Sequence, residues 1–500
     1  MSIKSLAALL YAKIQVKKEQ KWISKPLETQ KKTLKYLLKT AQNTAFGKEH
    51  HFSNIQNYQD FVQKVPLADY ENLRVWIEKM VAGEKDILWP GKPLYFAKTS
   101  GTTSGSKYIP ISKESMPFHV DSAKNALLFY IHQTKKANFV DGKMIFLQGS
   151  PELEEKNGVL LGRLSGISAH YVPSYLQKNR EPSWEVNCME DWEKKVEAIV
   201  EETKTKDMRL ISGIPPWLIM YYEKLLEATG KRSISEIFPS LSLMVTGGVN
   251  YEPYKAKMNQ LLGKKLDILQ TYPASEGFIA YQIDPEKDDM LLLLNNGIYY
   301  EFISVENFNQ GNFERINLEK VELGKDYVII LNTNAGLWGY NIGDTVRFTQ
   351  LYPFKIKVSG RIKHFTSAFG EHVIAYEVET ALERTLEKFP AHIEEFTVAP
   401  QVNPSHGLPF HQWFIEFSKE PENMAAFIKE LDLQLQNLNV YYKDLIKGNV
   451  LKELEIYPVK KGSFNQYMKS IGKLGGQNKT PRLSNDRNIA QSLIDLQKKL

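Results

Sequence analysis

Only one cysteine, Cys188, occurs in 500 residues. No disulfide can form within such a chain, which suits a reducing compartment, and no Cys/His set has the spacing of a zinc site. Long apolar runs are also missing. The patch Leu6–Leu10 meets Lys13 almost at once, too short for a signal-peptide core or a spanning helix, and no segment reaches about 18 uninterrupted apolar residues. Charge of one sign is scarce: 64 basic against 58 acidic residues leave +6. With no long basic run and no basic–aromatic stripe, a nucleic-acid face is disfavoured, while the slight positive excess suits a small anionic substrate. No internal repeat or low-complexity tract is visible. The expectation is a cytoplasmic protein with neither nucleic acid nor membrane as partner; its oligomeric state is not readable.

What is present is enough apolar material for a large core, 42% of residues, in a chain long for one domain. Leu6, Leu9, Leu10 and Ile14, then Leu34, Leu37 and Leu38, predict two helices separated near Pro26. Short strands are predicted at 143–147, 208–211 and 241–245, with a helix at 191–203 among them. That alternation points to an α/β fold with parallel pairing. Residues 290–294 and 298–305, joined by Asn295-Asn296-Gly297, predict a hairpin. Beyond Ser359-Gly360 the pattern becomes helices at 371–388 and 421–438 with strands at 395–398 and 412–417, a smaller α+β domain. The domains are therefore expected at 1–359 and 360–500.

Four segments carry chemistry. Lys98–Lys107 sets the hydroxyls of Ser100, Thr102, Thr103 and Ser104 among Gly101 and Gly105. Hydroxyls and bendable backbone N–H groups suit a phosphate, although the Walker spacing is absent. A flexible surface loop has the same composition; apolar runs on both sides favour the cradle. Thr271–Gly277 joins Tyr272, able to stack on a base, to Glu276, able to hold magnesium, though such residues also occur in ordinary loops. In Gly336–Asp344 the carboxylate of Asp344 follows a glycine and can accept from a ribose diol or simply cap a turn. Gly247-Gly248 after a strand permits close approach of a flat ligand or tight packing.

Taken in order, these segments resemble the adenylate-forming superfamily of firefly luciferase and the acyl-CoA synthetases. More narrowly, they resemble the auxin-responsive Gretchen Hagen acyl-acid amido synthetases of plants and their bacterial relatives. The family's phosphate loop, its Tyr-Ala-Ser-Ser-Glu motif and its Tyr-Arg-Val-Gly-Asp motif correspond to 99–103, Tyr272–Glu276 and Tyr340–Asp344. Asn43–Phe52 is similar to the family's Thr-x-Phe-Gly-Lys-x-His segment, and Gln477–Arg482 is similar to Gln-Tyr-Lys-Thr-Pro-Arg. The resemblance implies a large N-terminal α/β domain with mixed sheets and a mobile C-terminal α+β domain hinged near 359–363. It implies ATP and Mg2+, with Ser100, Gly101, Thr102 and Thr103 on the phosphates, and Tyr272, Ser275, Gly247 and Gly248 beside the nucleotide. It also implies Glu276 on magnesium, Asp344 on the ribose, Arg361 at the hinge, and Lys479 as the lysine contacting the reacting carboxylate and α-phosphate.

The implied activity is adenylation of a carboxylic acid and transfer of the acyl group to an amine, such as an amino acid. Alternatives are transfer to coenzyme A or a carrier, and a catalytically silent nucleotide-binding protein. Two departures stand out: Gly339 and Asn341 occupy positions where the plant motif has arginine. Trp217, Tyr221 and Tyr222 are candidates for either an acyl pocket or plain core.

Overall fold

A computed structural model describes the chain except residues 1, 100–106, 173–176, 190–191, 249–250, 252–253, 363–364, 367–372, 402–403, 405–406, 448–450, 476–478, 485–486 and 499–500. Two compact units are present. The first comprises 1–214, 221–249 and 264–358; the second comprises 215–220, 250–263 and 359–500.

Two helices open the first unit, Ile3–Ile23 and Pro26–Ala41. Proline is well placed at the start of the second, since the first N–H groups of a helix have no partner within it. A twelve-stranded sheet follows, and its two halves differ in kind. Strands Lys143–Phe146, Met208–Ser212, Leu243–Gly247 and Asp267–Ala274 pair in parallel. Parallel neighbours need crossover connections, here largely helical, and apolar runs suit strands covered on both faces. From Asp267–Ala274 the chain turns straight back into Gly277–Gln282, and the pairing becomes antiparallel. It remains so through Met290–Leu292 and, further along, between Ile298–Ser304, Asp326–Thr333 and Tyr340–Leu351. A separate four-stranded sheet contains Tyr95–Thr99 and Lys107–Ile111, an antiparallel pair closed by 100–106.

The hairpin expected across 290–305 does not form. Met290–Leu292 pairs with Gly277–Gln282 and Phe354–Arg361, whereas Ile298–Ser304 pairs with Asp326–Thr333. The Asn-Gly turn exists, with Gly297 at φ 76°. Its polar groups serve other strands, because the Asn296 amide donates to Phe278 O and Asn334 N donates to Gly297 O at 2.9 Å. Tertiary pairing thus overrides a local turn signal.

The second unit carries a three-stranded sheet, Glu455–Val459 parallel to Phe410–Lys419, which is antiparallel to His392–Gln401. Helices Ala375–Lys388 and Met424–Leu438 contribute Val378, Leu382, Phe427 and Leu431 to one core with Phe396, Val398 and Trp413.

Candidate active site

The parallel strands of the first unit end in a row, and the usual place for a ligand on such a sheet is outside those carboxyl ends. Gly247 lies there opposite Thr271. A Cβ at 247 would stand 2.4 Å from Thr271 O, so only glycine lets the two strands approach. Gly248 follows at φ 80°, exposed. The neighbouring hydroxyl, Thr246 Oγ1, is buried without a hydrogen-bond partner.

Tyr272 is in the strand rather than in a loop beyond it. The register slips between Phe278 and Ala280, directly beside it. A second irregularity faces it on the strand carrying Asp344. There Ile330 pairs with Asn341 and Val328 with Thr345, so the Asp344 strand bulges between those pairs. Bulges re-aim side chains, and here Gly343 supplies φ 88° while its N–H donates to Asn341 Oδ1 at 2.8 Å. The outcome is a buried hydrogen bond from the Tyr272 hydroxyl to the Asp344 carboxylate, 72 positions apart in the chain.

Ser275 and Glu276 form the turn between the strands, Ser275 buried and Glu276 half-buried. Glu276 accepts from the Tyr340 hydroxyl. Burial, reinforced by the charges of Glu276 and Asp69, pushes the Tyr340 phenol far above its ordinary pKa, so it stays a neutral donor. Tyr70 also influences Tyr340 and accepts from Tyr108 N at 2.9 Å. Tyr108 belongs to strand Lys107–Ile111, which pairs with Tyr95–Thr99. The strand after the hydroxyl-rich segment is thereby tied to Tyr70; Ser100, Gly101, Thr102 and Thr103 lie outside the described residues.

The departures from the plant motif have a structural basis. Gly339 has φ 54°, and a Cβ there would be 2.2 Å from Pro66 O. Its N–H donates to Asn332 Oδ1 at 2.7 Å. A guanidinium nevertheless returns from elsewhere, since Arg315 Nη1 lies 3.3 Å from that Cβ position and pairs with fully buried Glu301 at 3.2 Å. Arg315 also donates to Val62 O and Val65 O, fastening 62–68 alongside 339–341. The early motif braces the same turn. Thr44 caps helix Ala45–Glu49, and Phe46 and Phe52 pack on Trp338 with ring centroids 6.3 and 4.7 Å away.

Lys479 is exposed in the second unit, on a segment clamped at Arg482. Arg482 donates to Glu395, to Glu379 at 3.3 Å and to the Tyr254 hydroxyl, with its guanidinium 4.5 Å above the Phe396 ring. Val398 N donates to Arg482 O at 2.9 Å and Ser484 N to Val398 O at 3.0 Å, laying the segment along strand His392–Gln401. Arg361 ends strand Phe354–Arg361; residue 363 of the expected hinge 359–363 lies outside the described residues.

Sequence reasoning missed Tyr340 as the partner of Glu276, and missed the Glu301–Arg315–Asn332 and Arg482 hubs. Tyr340 and Arg482 stand in matched motifs without an assigned role, and buried Glu301, Arg315 and Asn332 give no signal until the fold is seen. Tyr221 and Tyr222 prove to be core, fully buried with hydroxyls on Thr203 Oγ1 at 2.7 Å and Met244 Sδ at 3.7 Å. Trp217 is also buried. Among the described residues no group of three or more His, Cys, Asp or Glu could hold a metal. A lone carboxylate in a strand-end turn nevertheless fits magnesium, which usually takes one or two protein carboxylates and completes its shell with phosphate oxygens and water.

Three family models match: the GH3 family N-terminal domain over 15–186, the central domain over 291–361 and the C-terminal domain over 376–488. Among curated relatives, the jasmonoyl–L-amino acid synthetase JAR4 of Nicotiana attenuata is 22% identical, with 92% of each chain covered. The indole-3-acetic acid-amido synthetase GH3.10 of Arabidopsis thaliana is 22% identical over 87% of each. Among solved structures, the AtGH3.15 acyl acid amido synthetase in complex with 2,4-DB aligns at TM-score 0.81 and 17% identity, covering 97% of this chain and 96% of that one. A 2-hydroxyisobutyryl-CoA ligase aligns at TM-score 0.59 and 12% identity, covering 95% and 94%.

Proposed function

The chain belongs to the GH3 family, and on that premise we propose that it is an ATP-dependent acyl-acid amido synthetase, joining a small carboxylic acid to an amine such as an amino acid. The observation that carries this reading is the meeting of Tyr272 with Asp344 and of Glu276 with Tyr340 at the carboxyl end of the parallel strands.

In this reading ATP is a substrate. Asp344 accepts the ribose hydroxyls, Tyr272 and Ser275 lie beside the base, Gly247 and Gly248 let the nucleotide approach the backbone, and Ser100, Gly101, Thr102 and Thr103 cradle the phosphates. Glu276 would hold Mg2+, which when bound neutralises phosphate charge. A carboxylate is a poor electrophile; its attack on the α-phosphorus forms an acyl-adenylate and expels pyrophosphate. Two anions must approach, so the barrier is largely electrostatic, and Lys479 lowers it by contacting both. The amine then attacks the acyl carbon, AMP leaves with the bonding pair, and the amine's proton is lost. The two steps need different surroundings. We assign residues 360–500 to a mobile domain, 1–359 to the adenylation domain, and the hinge to 359–363 around Arg361. The cytoplasm is the compartment we assign.

Mass-spectrometric analysis of the protein incubated with ATP, Mg2+ and pools of carboxylic acids and amino acids tests the proposal. An N-acyl amide together with AMP supports it. A product formed only with coenzyme A makes it a thioester ligase, and ATP binding without any product makes it a silent nucleotide binder.

A further inference from the structure

The first helix has two faces. Ser5, Ala12, Val16, Glu19 and Ile23 are buried, and Ser5 Oγ donates to Asp141 Oδ2 at 2.8 Å. That face docks the 21-residue helix Ile3–Ile23 onto the body of the first unit, where it contacts helix Met116–Thr134. The opposite face has no such cover. Ile3, Leu6, Leu10, Tyr11 and Ile14 are all exposed, Ile3 at 88% and Ile14 at 67%. They supply five of the seventeen exposed large hydrophobic side chains among the described residues, far more than scattered surface apolar residues would place on three turns.

Ile3, Leu6, Leu10 and Ile14 follow helical spacing and form one stripe about 17 Å long at 1.5 Å per residue. Lysines continue and flank it: Lys17, Lys18 and Lys21 extend the same face, with Lys4 and Lys13 beside it. All five are exposed and none forms an ion pair among the described residues. The helix's sole acid, Glu19, is buried and accepts from Trp22 Nε1 at 2.6 Å. Among the described residues no helix is long and apolar enough to cross a membrane. The helix as a whole is not amphipathic, since its other face is docked on the protein, but the exposed apolar stripe bordered by lysines suits a lipid interface, with the apolar side chains among the acyl chains and the lysines at anionic headgroups. A second copy of this chain is a poorer occupant, because two such faces would bring their lysines together.

We propose that the exposed face of helix Ile3–Ile23 docks the protein reversibly on an anionic lipid surface. Such docking departs from the expectation, drawn from the absence of a spanning segment, that no membrane is a partner: a face can lie on a bilayer that a helix cannot cross.

Flotation of the whole protein with phosphatidylglycerol vesicles and with phosphatidylcholine vesicles tests this. The wild type should bind phosphatidylglycerol at least tenfold more strongly than phosphatidylcholine, and the preference should shrink with added salt. The Leu10→Glu/Ile14→Glu variant should lose most binding to phosphatidylglycerol, and Lys17→Gln/Lys18→Gln/Lys21→Gln should weaken it several-fold. These side chains are exposed, so both variants should keep the wild-type melting temperature and nucleotide affinity. Equal binding of wild type and Leu10→Glu/Ile14→Glu, or no binding to either vesicle, would overturn the proposal. So would sedimentation showing a dimer that Leu10→Glu/Ile14→Glu dissociates, without vesicle binding.

Discussion

The two regions that hold the candidate catalytic groups are built by different physics. In the first unit, Tyr272, Glu276 and Asp344 are placed by backbone irregularity: a register slip beside Tyr272, a turn at 275–276 and a bulge before Asp344. Glycines at 247, 339 and 343 make these shapes possible. In the second unit, Lys479 is exposed while its segment is held by charge, through Arg482 between Glu379 and Glu395. Backbone-built sites should break when a Cβ is added and be indifferent to pH. Charge-built ones should tolerate shape changes and respond to ionisation.

Four tests, using five substitutions, sharpen this contrast. Gly339→Arg, which restores the plant residue, should cost the most. Its Cβ would meet Pro66 O at 2.2 Å with φ at 54°, and a loss of about 3 kcal/mol or more is expected in denaturant unfolding. A variant as stable as wild type would show that the turn can relax.

Next is Asp344→Ala, which should weaken ATP binding about 10–100-fold by calorimetry, as expected for losing hydrogen bonds to a charged acceptor. Tyr272→Phe removes the hydroxyl and keeps the ring, so it should cost only a few-fold. Equal losses would mean that Tyr272 matters chiefly for holding Asp344.

Third is Glu416→Gln in the second unit. Burial raises the Glu416 carboxyl to about 7, against the pull of N–H donors from Gly462 and Phe464, and Glu394 and Glu395 add to the rise. Because the folded pKa lies above the unfolded one, the stability this group contributes is complete in acid and is lost as pH rises through about 7. The stability of the variant relative to wild type should therefore rise by about 1–2 kcal/mol between pH 5 and pH 8. A pH-independent difference would refute the assignment.

The smallest effect on stability belongs to Lys479→Ala. An exposed lysine should change unfolding by no more than about 0.5 kcal/mol. The same change should slow adenylation at least about tenfold while sparing conversion of a synthetic acyl-adenylate and amine to amide. A loss confined to the second step would move the lysine's role there.

Much of this was legible in the chain. The parallel strands were readable because apolar runs and helical periodicity alternate locally. The segments bearing Tyr272, Glu276 and Asp344 stood out through their resemblance, in order, to the family's motifs, because each alone suits an ordinary loop or turn. Pairings between distant segments were not. Asn295-Asn296-Gly297 gave a sound turn but a wrong hairpin, because nothing local says that 290–292 and 298–304 prefer other partners. Tyr340 was read only as a motif letter, since its bond to Glu276 exists only once two strand ends meet. The grouping of 215–220 and 250–263 with the second unit likewise depends on contacts far apart in sequence. Gly339 and Asn341 first look like missing charges; in the fold one makes room for Pro66 and the other shapes the bulge at Gly343.

The central claim is that the groups gathered at 247–248, 272–276 and 340–344 activate a carboxylate with ATP. Exchange of labelled pyrophosphate into ATP, measured with magnesium across a panel of carboxylic acids and no amine, tests it most directly. The account predicts exchange that appears only when a suitable acid is added and that falls sharply in Asp344→Ala. No exchange with any acid, or exchange undiminished in Asp344→Ala, would contradict it.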